Sequence, residues 1–180
     1  DVPNIKVDGF AINTGKIEVG NNPYRLFIKN NYFNGTRKPA MWLFTWEGEQ
    51  FLVMGVHLVS QSANTPDWGN LQPPEKPEEQ KRENQMNLIK DYIQGLQWKD
   101  DELNIILAGD FNDYPWSETL KILKESQTFS FPSSQAATEN FSYIHEGNAF
   151  QFDYIVVNQN LNDRIKQYSV IHLNSLYDSE

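Results

Sequence analysis

Asn104-Ile105-Ile106-Leu107-Ala108-Gly109-Asp110-Phe111-Asn112 is the stretch on which the fold turns. Four consecutive apolar residues read as a short strand buried on both faces, and Gly109-Asp110-Phe111-Asn112 ends it in polar groups. Downstream, Pro115 opens a predicted helix in which Trp116, Leu120 and Leu123 share one side. Upstream, Met86, Ile89, Ile93 and Leu96 recur at helical spacing among charged neighbours, which predicts an amphipathic helix from Glu78 to Leu96 opened by acidic residues.

Working outward, Phe51 to Val59 is a nearly continuous apolar run after a Glu47-Gly48 turn, and it carries His57 near its carboxyl end. Tyr24 to Asn30 and Met41 to Trp46 are rich in aromatic and branched residues, and Asn34-Gly35 between them predicts a paired hairpin. Phe150 to Val157, containing Asp153, and Tyr168 to Leu173 complete the predicted strands. Ser60 to Pro77 has no periodicity and reads as a long surface loop, a kind of segment that is often functional. Strands alternating with two helices after a hairpin-rich start point to a layered α/β or α+β sheet.

The 180 residues suit one domain, and 13% aromatic residues, with five Trp and eleven Phe, supply a real core. With no Cys, disulfides and thiol catalysis are excluded. No run of about eighteen apolar residues is present, so no membrane insertion is expected; a monomer is. The net charge of −9 weighs against broad adhesion to DNA or anionic lipid, so a nucleic-acid substrate would need a local basic patch.

The polar residues at strand ends carry the chemistry. Asp110 followed by Asn112 places a carboxylate and a carboxamide at one sheet edge, where they can hold a water, accept its proton or complete the shell of a hard cation. The same two residues would equally serve as caps of the next helix. His57 alone reads as a hydrogen-bonded rim residue. Asp153 heads an apolar strand, where burial without a cation is costly, so a His⁺ or Arg partner is expected for it.

Taken in order, Tyr24-Arg25-Leu26, His57-Leu58-Val59-Ser60, Gly109-Asp110-Phe111-Asn112-Asp113 and Phe152-Asp153-Tyr154-Ile155 resemble the endonuclease/exonuclease/phosphatase superfamily, which includes DNase I. The resemblance runs over nearly the whole chain. It is closest to the extracellular-nuclease branch, through Gln72-Pro73-Pro74 and Lys81-Arg82. It implies a DNase I-like layered β-sandwich flanked by helices, incomplete here, as a single partial domain over residues 1–180. It further implies that His57 donates to a phosphate oxygen, that Asp110 orients or deprotonates water or protonates the leaving group, and that Asn112 holds phosphate or cation. Asp153 would orient a final histidine, and Arg25 would contact phosphate, although an exposed strand arginine is an equal reading. Asp110 and Asn112 are the implied metal-binding pair, with Mg²⁺ as the cofactor and Mn²⁺ or Ca²⁺ as alternatives.

Two departures stand beside these matches. The family's early Asn and Glu, and its closing Ser-Asp-His, have no counterpart here. His172 and His145 read instead as a structural strand residue and a solvated turn residue. The expectation is an excised piece of a longer nuclease acting on DNA or RNA, inactive by itself, and secreted or periplasmic. Asn34-Gly35-Thr36 and Asn140-Phe141-Ser142 match the glycosylation pattern. The alternatives are a phospholipid or inositol-phosphate phosphoesterase, with Trp68 or Trp46 as membrane-facing aromatics, and a non-catalytic binding module that keeps the fold.

Overall fold

The computed structural model describes residues 31–62, 64–65, 69–132, 140–145 and 147–172. Their centre is a five-stranded sheet. The strands β1 (Ala40–Trp46) and β2 (Glu49–His57) form an antiparallel hairpin turned at Glu47-Gly48, with Met41 opposite Met54 and Leu43 opposite Leu52. The partner of the Met41–Trp46 segment is therefore β2; the Tyr24–Asn30 segment expected in that place, with Arg25, lies outside the described residues, as does Trp68.

Helix α1 (Glu79–Gln97) crosses over the sheet to β3 (Asn104–Asp110), which lies parallel to β2. Its residues Met86, Ile89 and Ile93 are fully buried against Leu52, Met54, Ile105 and Leu107. Burial of each such side chain stabilises by roughly 1.5–3 kcal/mol, and their 3.6-residue spacing is why this segment is a helix lying flat on the sheet.

After β3 come α2 (Glu118–Lys124), β4 (Phe129–Ser130), a hairpin of β5 (Tyr143–His145) and β6 (Asn148–Phe150), then β7 (Asp153–Asn158) and the short α3 (Gln159–Asn162). The large sheet has the order β1-β2-β3-β7-β4, and β5-β6 stand apart as a two-stranded ribbon. Buried Asn158 ties the ends of β3 and β7 together by accepting from the Ile105 amide at 3.1 Å and donating to the Leu103 carbonyl at 2.8 Å.

Four expectations change. The second helix does not begin at Pro115: Ser117 caps it by accepting from the Leu120 amide, and Trp116 stands outside the helix, 72% exposed. A Ser with extended backbone satisfies the orphan amides better than Pro at this place. The run from Phe150 to Val157 is broken at Gln151-Phe152, because Phe150 pairs with Tyr143 while β7 pairs with β3. Residues 168–172 form no strand; His172 there stacks on Phe141 with ring centres 3.8 Å apart and contacts its carbonyl at 3.0 Å, a structural role kept without the strand. His145 is an exposed residue of β5 instead of a turn residue. No helix among the described residues is long and apolar enough to cross a membrane.

Candidate active site

Strand register assembles the site. His57 is the β2 partner of Asp110 on β3, and Asp110 is the β3 partner of Asp153 on β7. Register partners project to the same face, so three side chains from three adjacent strands form one row across the sheet, spaced by the interstrand distance of about 4.8 Å. The His57 Nε2 atom lies 3.5 Å from Asp110 Oδ2, both side chains being about one-third exposed.

Asn112 joins the row by a turn. Its amide N–H donates to Asp110 Oδ1 at 2.8 Å, and its side-chain Nδ2 donates to the Leu58 carbonyl at 3.0 Å. The residue has φ of +50°, which Asn tolerates better than most residues. Gln61 holds the Asn112 carbonyl at 2.8 Å from the other side. Neither Asp110 nor Asn112 caps α2, since Ser117 does; the capping alternative for this pair is thereby removed.

Arg37, which the sequence motifs do not mark, approaches His57 Nε2 with an NH1 at 3.0 Å. An arginine N–H can only donate, so in this contact Nε2 is the acceptor and the ring proton is on Nδ1. Continued outward from Glu47-Gly48, the β1–β2 register sets Lys38 opposite His57 and Arg37 opposite Leu58, so the hairpin marks this segment as the neighbour of His57 without marking which of its two cations meets the ring. The guanidinium puts a local positive charge into the row, in a chain whose net charge is −9.

Buried side chains of α1 hold these loops. Gln85, fully buried, accepts from the Val59 amide at 3.0 Å and donates to the Tyr32 carbonyl and Thr36 hydroxyl. Arg82 donates from Nε to Asp113 Oδ2 at 3.0 Å and from NH1 to the Ser60 carbonyl at 3.2 Å. The segments after β2 and β3, and the one before β1, are thus tied to one helix.

Burial raises the Asp110 carboxyl above the usual carboxylate range, with the Asp153 charge adding to the effect; the Asn112 amide, His57 and Arg37 oppose it. The unfolded chain therefore releases this proton first as pH rises, and stability falls through the ordinary carboxylate range and stays lower above the folded pKa. Asp110→Asn is accordingly expected to raise the Tm at pH 7 in chelator, with the gain fading below about pH 3. A thermal melt that shows the variant less stable at pH 7 than at pH 3, relative to the wild type, contradicts this.

Asp153 is exposed, which corrects the expectation that burial forces a cationic partner upon it; no such partner is found among the described residues. Asp110, Asp153 and the Asn112 amide offer oxygen donors suited to a hard cation. Among the described residues no three acidic or imidazole groups gather where they could enclose an ion; two carboxylates and an amide are oxygen donors of the kind a hard divalent cation takes together with water. Asn34 is exposed, whereas Asn140 is buried, 8% exposed, and is a poor glycan acceptor.

No protein-family model and no curated protein matches the chain. Solved structures do. TDP2 from Caenorhabditis elegans is 11% identical, with a TM-score of 0.50, over 73% of this chain and 38% of that one. The catalytic domain of human nocturnin is 17% identical, with a TM-score of 0.49, over 70% and 44%. An endonuclease/exonuclease/phosphatase family protein from Bacteroides thetaiotaomicron is 16% identical, with a TM-score of 0.42, over 67% and 40%. The fold is DNase I-like. At these identities the likeness is one of fold, and the chain spans less than half the length of these structures. His57 and Asp110 end the parallel strands β2 and β3, and Asp153 begins the antiparallel β7 beside them, at a sheet edge where loops are free to shape a site.

Proposed function

We propose that the protein carrying this chain is a metal-dependent phosphodiesterase, and specifically a nuclease. The observation that carries the reading is the register of β2, β3 and β7, which aligns His57, Asp110 and Asp153 while Asn112 and Arg37 flank them. An imidazole, two carboxylates, an amide and a guanidinium within one short row can bind an anionic ester and manage the proton of an attacking water.

In this reading Arg37 and Asn112 take non-bridging oxygens of the phosphate. Once Arg37 has turned to the ester, His57 Nε2 is released from it and can carry a proton to donate to another of those oxygens. Asp110, made more basic by burial, orients the water and accepts its proton as the oxygen–phosphorus bond forms; the bond to the leaving oxygen breaks in line, that oxygen takes a proton from solvent water, and Asp110 returns its own to solvent. The Asp153 charge beside Asp110 adds to that carboxylate's basicity. A Mg²⁺ held by Asp110 and Asn112 would supply charge neutralisation at the phosphate.

The test is hydrolysis of plasmid and single-stranded nucleic acid by the full-length protein with Mg²⁺. His57→Ala and Asp110→Ala are each expected to lower kcat/KM by about 10²–10⁴-fold, the range for a lost acid–base or oxyanion group. Activity in both variants equal to that of the wild type removes these residues from the mechanism.

A further inference from the structure

A continuous row of aromatic rings begins where the candidate active site ends. Trp116 lies parallel to Tyr114 with ring centres 5.1 Å apart and planes 1° apart. Tyr114 meets Phe152 at 5.4 Å, and Phe152 stacks on both Phe150, at 5.4 Å, and Tyr143, at 6.0 Å. Tyr143 in turn stacks on His145 at 5.9 Å. All these spacings are those of favourable ring pairs. The ends of the row are open to solvent: Trp116 is 72% exposed and Tyr143 45%.

The row is built into the site's own elements. Tyr114 follows Asn112 by two residues, Phe152 immediately precedes Asp153, and the Phe111 amide donates to the Phe152 carbonyl at 2.8 Å. Ser142 accepts from the Phe152 and Asp153 amides through its hydroxyl and so joins the β5–β6 ribbon to the head of β7. Trp116 stands outside any helix, with one face on Tyr114 and most of its surface in solvent.

We infer that this row, from Trp116 through Tyr114 and Phe152 to Tyr143, is a stacking platform for unpaired nucleobases of a single-stranded substrate whose phosphodiester lies at Asp110. The inference rests on the nuclease reading and adds the form of the substrate. Three features favour bases over other ligands. The platform adjoins in the chain the residues that would hold the phosphate, Tyr114 lying two residues after Asn112 and Phe152 one before Asp153, with the Phe111 amide bonded to the Phe152 carbonyl. Net charge of −9 denies the protein long-range attraction to phosphates, and stacking is a term that does not depend on charge. Between the paired residues His145 and Asn148 the sequence is Glu146-Gly147, neither aliphatic nor basic, which is unlike a surface made to enter anionic lipid.

The experiment is equilibrium binding in chelator by the full-length protein, followed by tryptophan fluorescence and calorimetry, with a short oligothymidine and an abasic deoxyribose-phosphate strand of the same length. The base-bearing strand is expected to bind about tenfold or more tightly, and Trp116→Ala and Tyr143→Ala, whose exposed sites leave folding intact by circular dichroism, should each remove most of that preference. Equal affinity for the two strands, or a preference that both variants retain, overturns the platform. Phosphatidylserine vesicles run in parallel give the other contradictory result: wild-type binding to vesicles that is lost in Trp116→Ala, without strand preference, makes the row a membrane contact. Hydrolysis of an aryl phosphodiester by the unaltered protein reports separately on the reactive site; if it proceeds while strand preference is absent, the platform fails and the phosphodiesterase reading stands.

Discussion

Gly109→Ala is expected to destabilise the protein by about 4 kcal/mol, combining backbone strain of roughly 1–3 kcal/mol with a similar overpacking cost. Gly109 has φ of +139°, a conformation that side chains rarely adopt, and a methyl group there would lie 2.0 Å from the Val56 carbonyl oxygen. That oxygen belongs to the backbone of the paired strand and cannot swing aside. Relief requires β2 and β3 to separate immediately before His57 and Asp110, so the row from His57 to Asp153 would be displaced along with the loss of stability. Gly55→Ala is the control, because its added methyl meets the edge of the Trp42 ring at 3.3 Å, a side chain that can yield, and the Ala40 carbonyl at an ordinary 3.9 Å. Urea denaturation of the two variants compares them; a Gly109→Ala cost no larger than that of Gly55→Ala would show that the close approach is not a constraint. Against a total stability of about 5–15 kcal/mol, the expected loss threatens folding itself.

The same glycine illustrates how far the sequence can be read. Gly109-Asp110-Phe111-Asn112 marks the end of a buried strand, and β1, β2, α1 and β3 all follow from apolar runs or helical spacing that have one physical solution. The row itself is only half legible. His57, Asp110, Asn112 and Asp153 stand out as polar groups at strand ends, whereas Arg37 belongs to an irregular segment whose position depends on the β1–β2 register, a long-range property that composition does not carry. The apolar neighbours of Asp153 suggest burial. It stands instead at the open end of β7, where the strand has left the core. The break between β6 and β7 is hidden for a related reason: Phe150 and Phe152 keep the aromatic character of a strand through the bend, since their rings pack on Tyr114 and Tyr143 and not in the core under α1. Spacing to Leu120 puts Trp116 on a helix face, yet Ser117 offers the better cap and stops the helix short of it.

Arg82→Met carries the other large effect. Arg82 and Asp113 form an ion pair at 3.0 Å with side chains only 1% and 4% exposed. Methionine keeps most of the volume, so the loss is chiefly that of the charge and its donors. Asp113 would then remain buried without a cation, a situation that costs about 3–5 kcal/mol when one partner of a buried pair is removed. The Ser60 carbonyl loses its donor as well, and the segments following His57 and Asn112 lose their common anchor on α1. Neutralising the second partner should undo much of the damage: Asp113→Asn keeps an oxygen for the Tyr114 amide, which donates to Asp113 at 3.0 Å, and carries no charge to strand. The double variant Arg82→Met/Asp113→Asn is therefore expected to be more stable than Arg82→Met alone, with a coupling of about 2 kcal/mol in a double-mutant cycle measured by urea denaturation. Strict additivity would mean that the two groups do not sense each other. Anchoring by Arg82 would then have to be ascribed to its bond to Ser60 alone, and the precision of the His57–Asp110 row would have to come from the strand register without help from the helix.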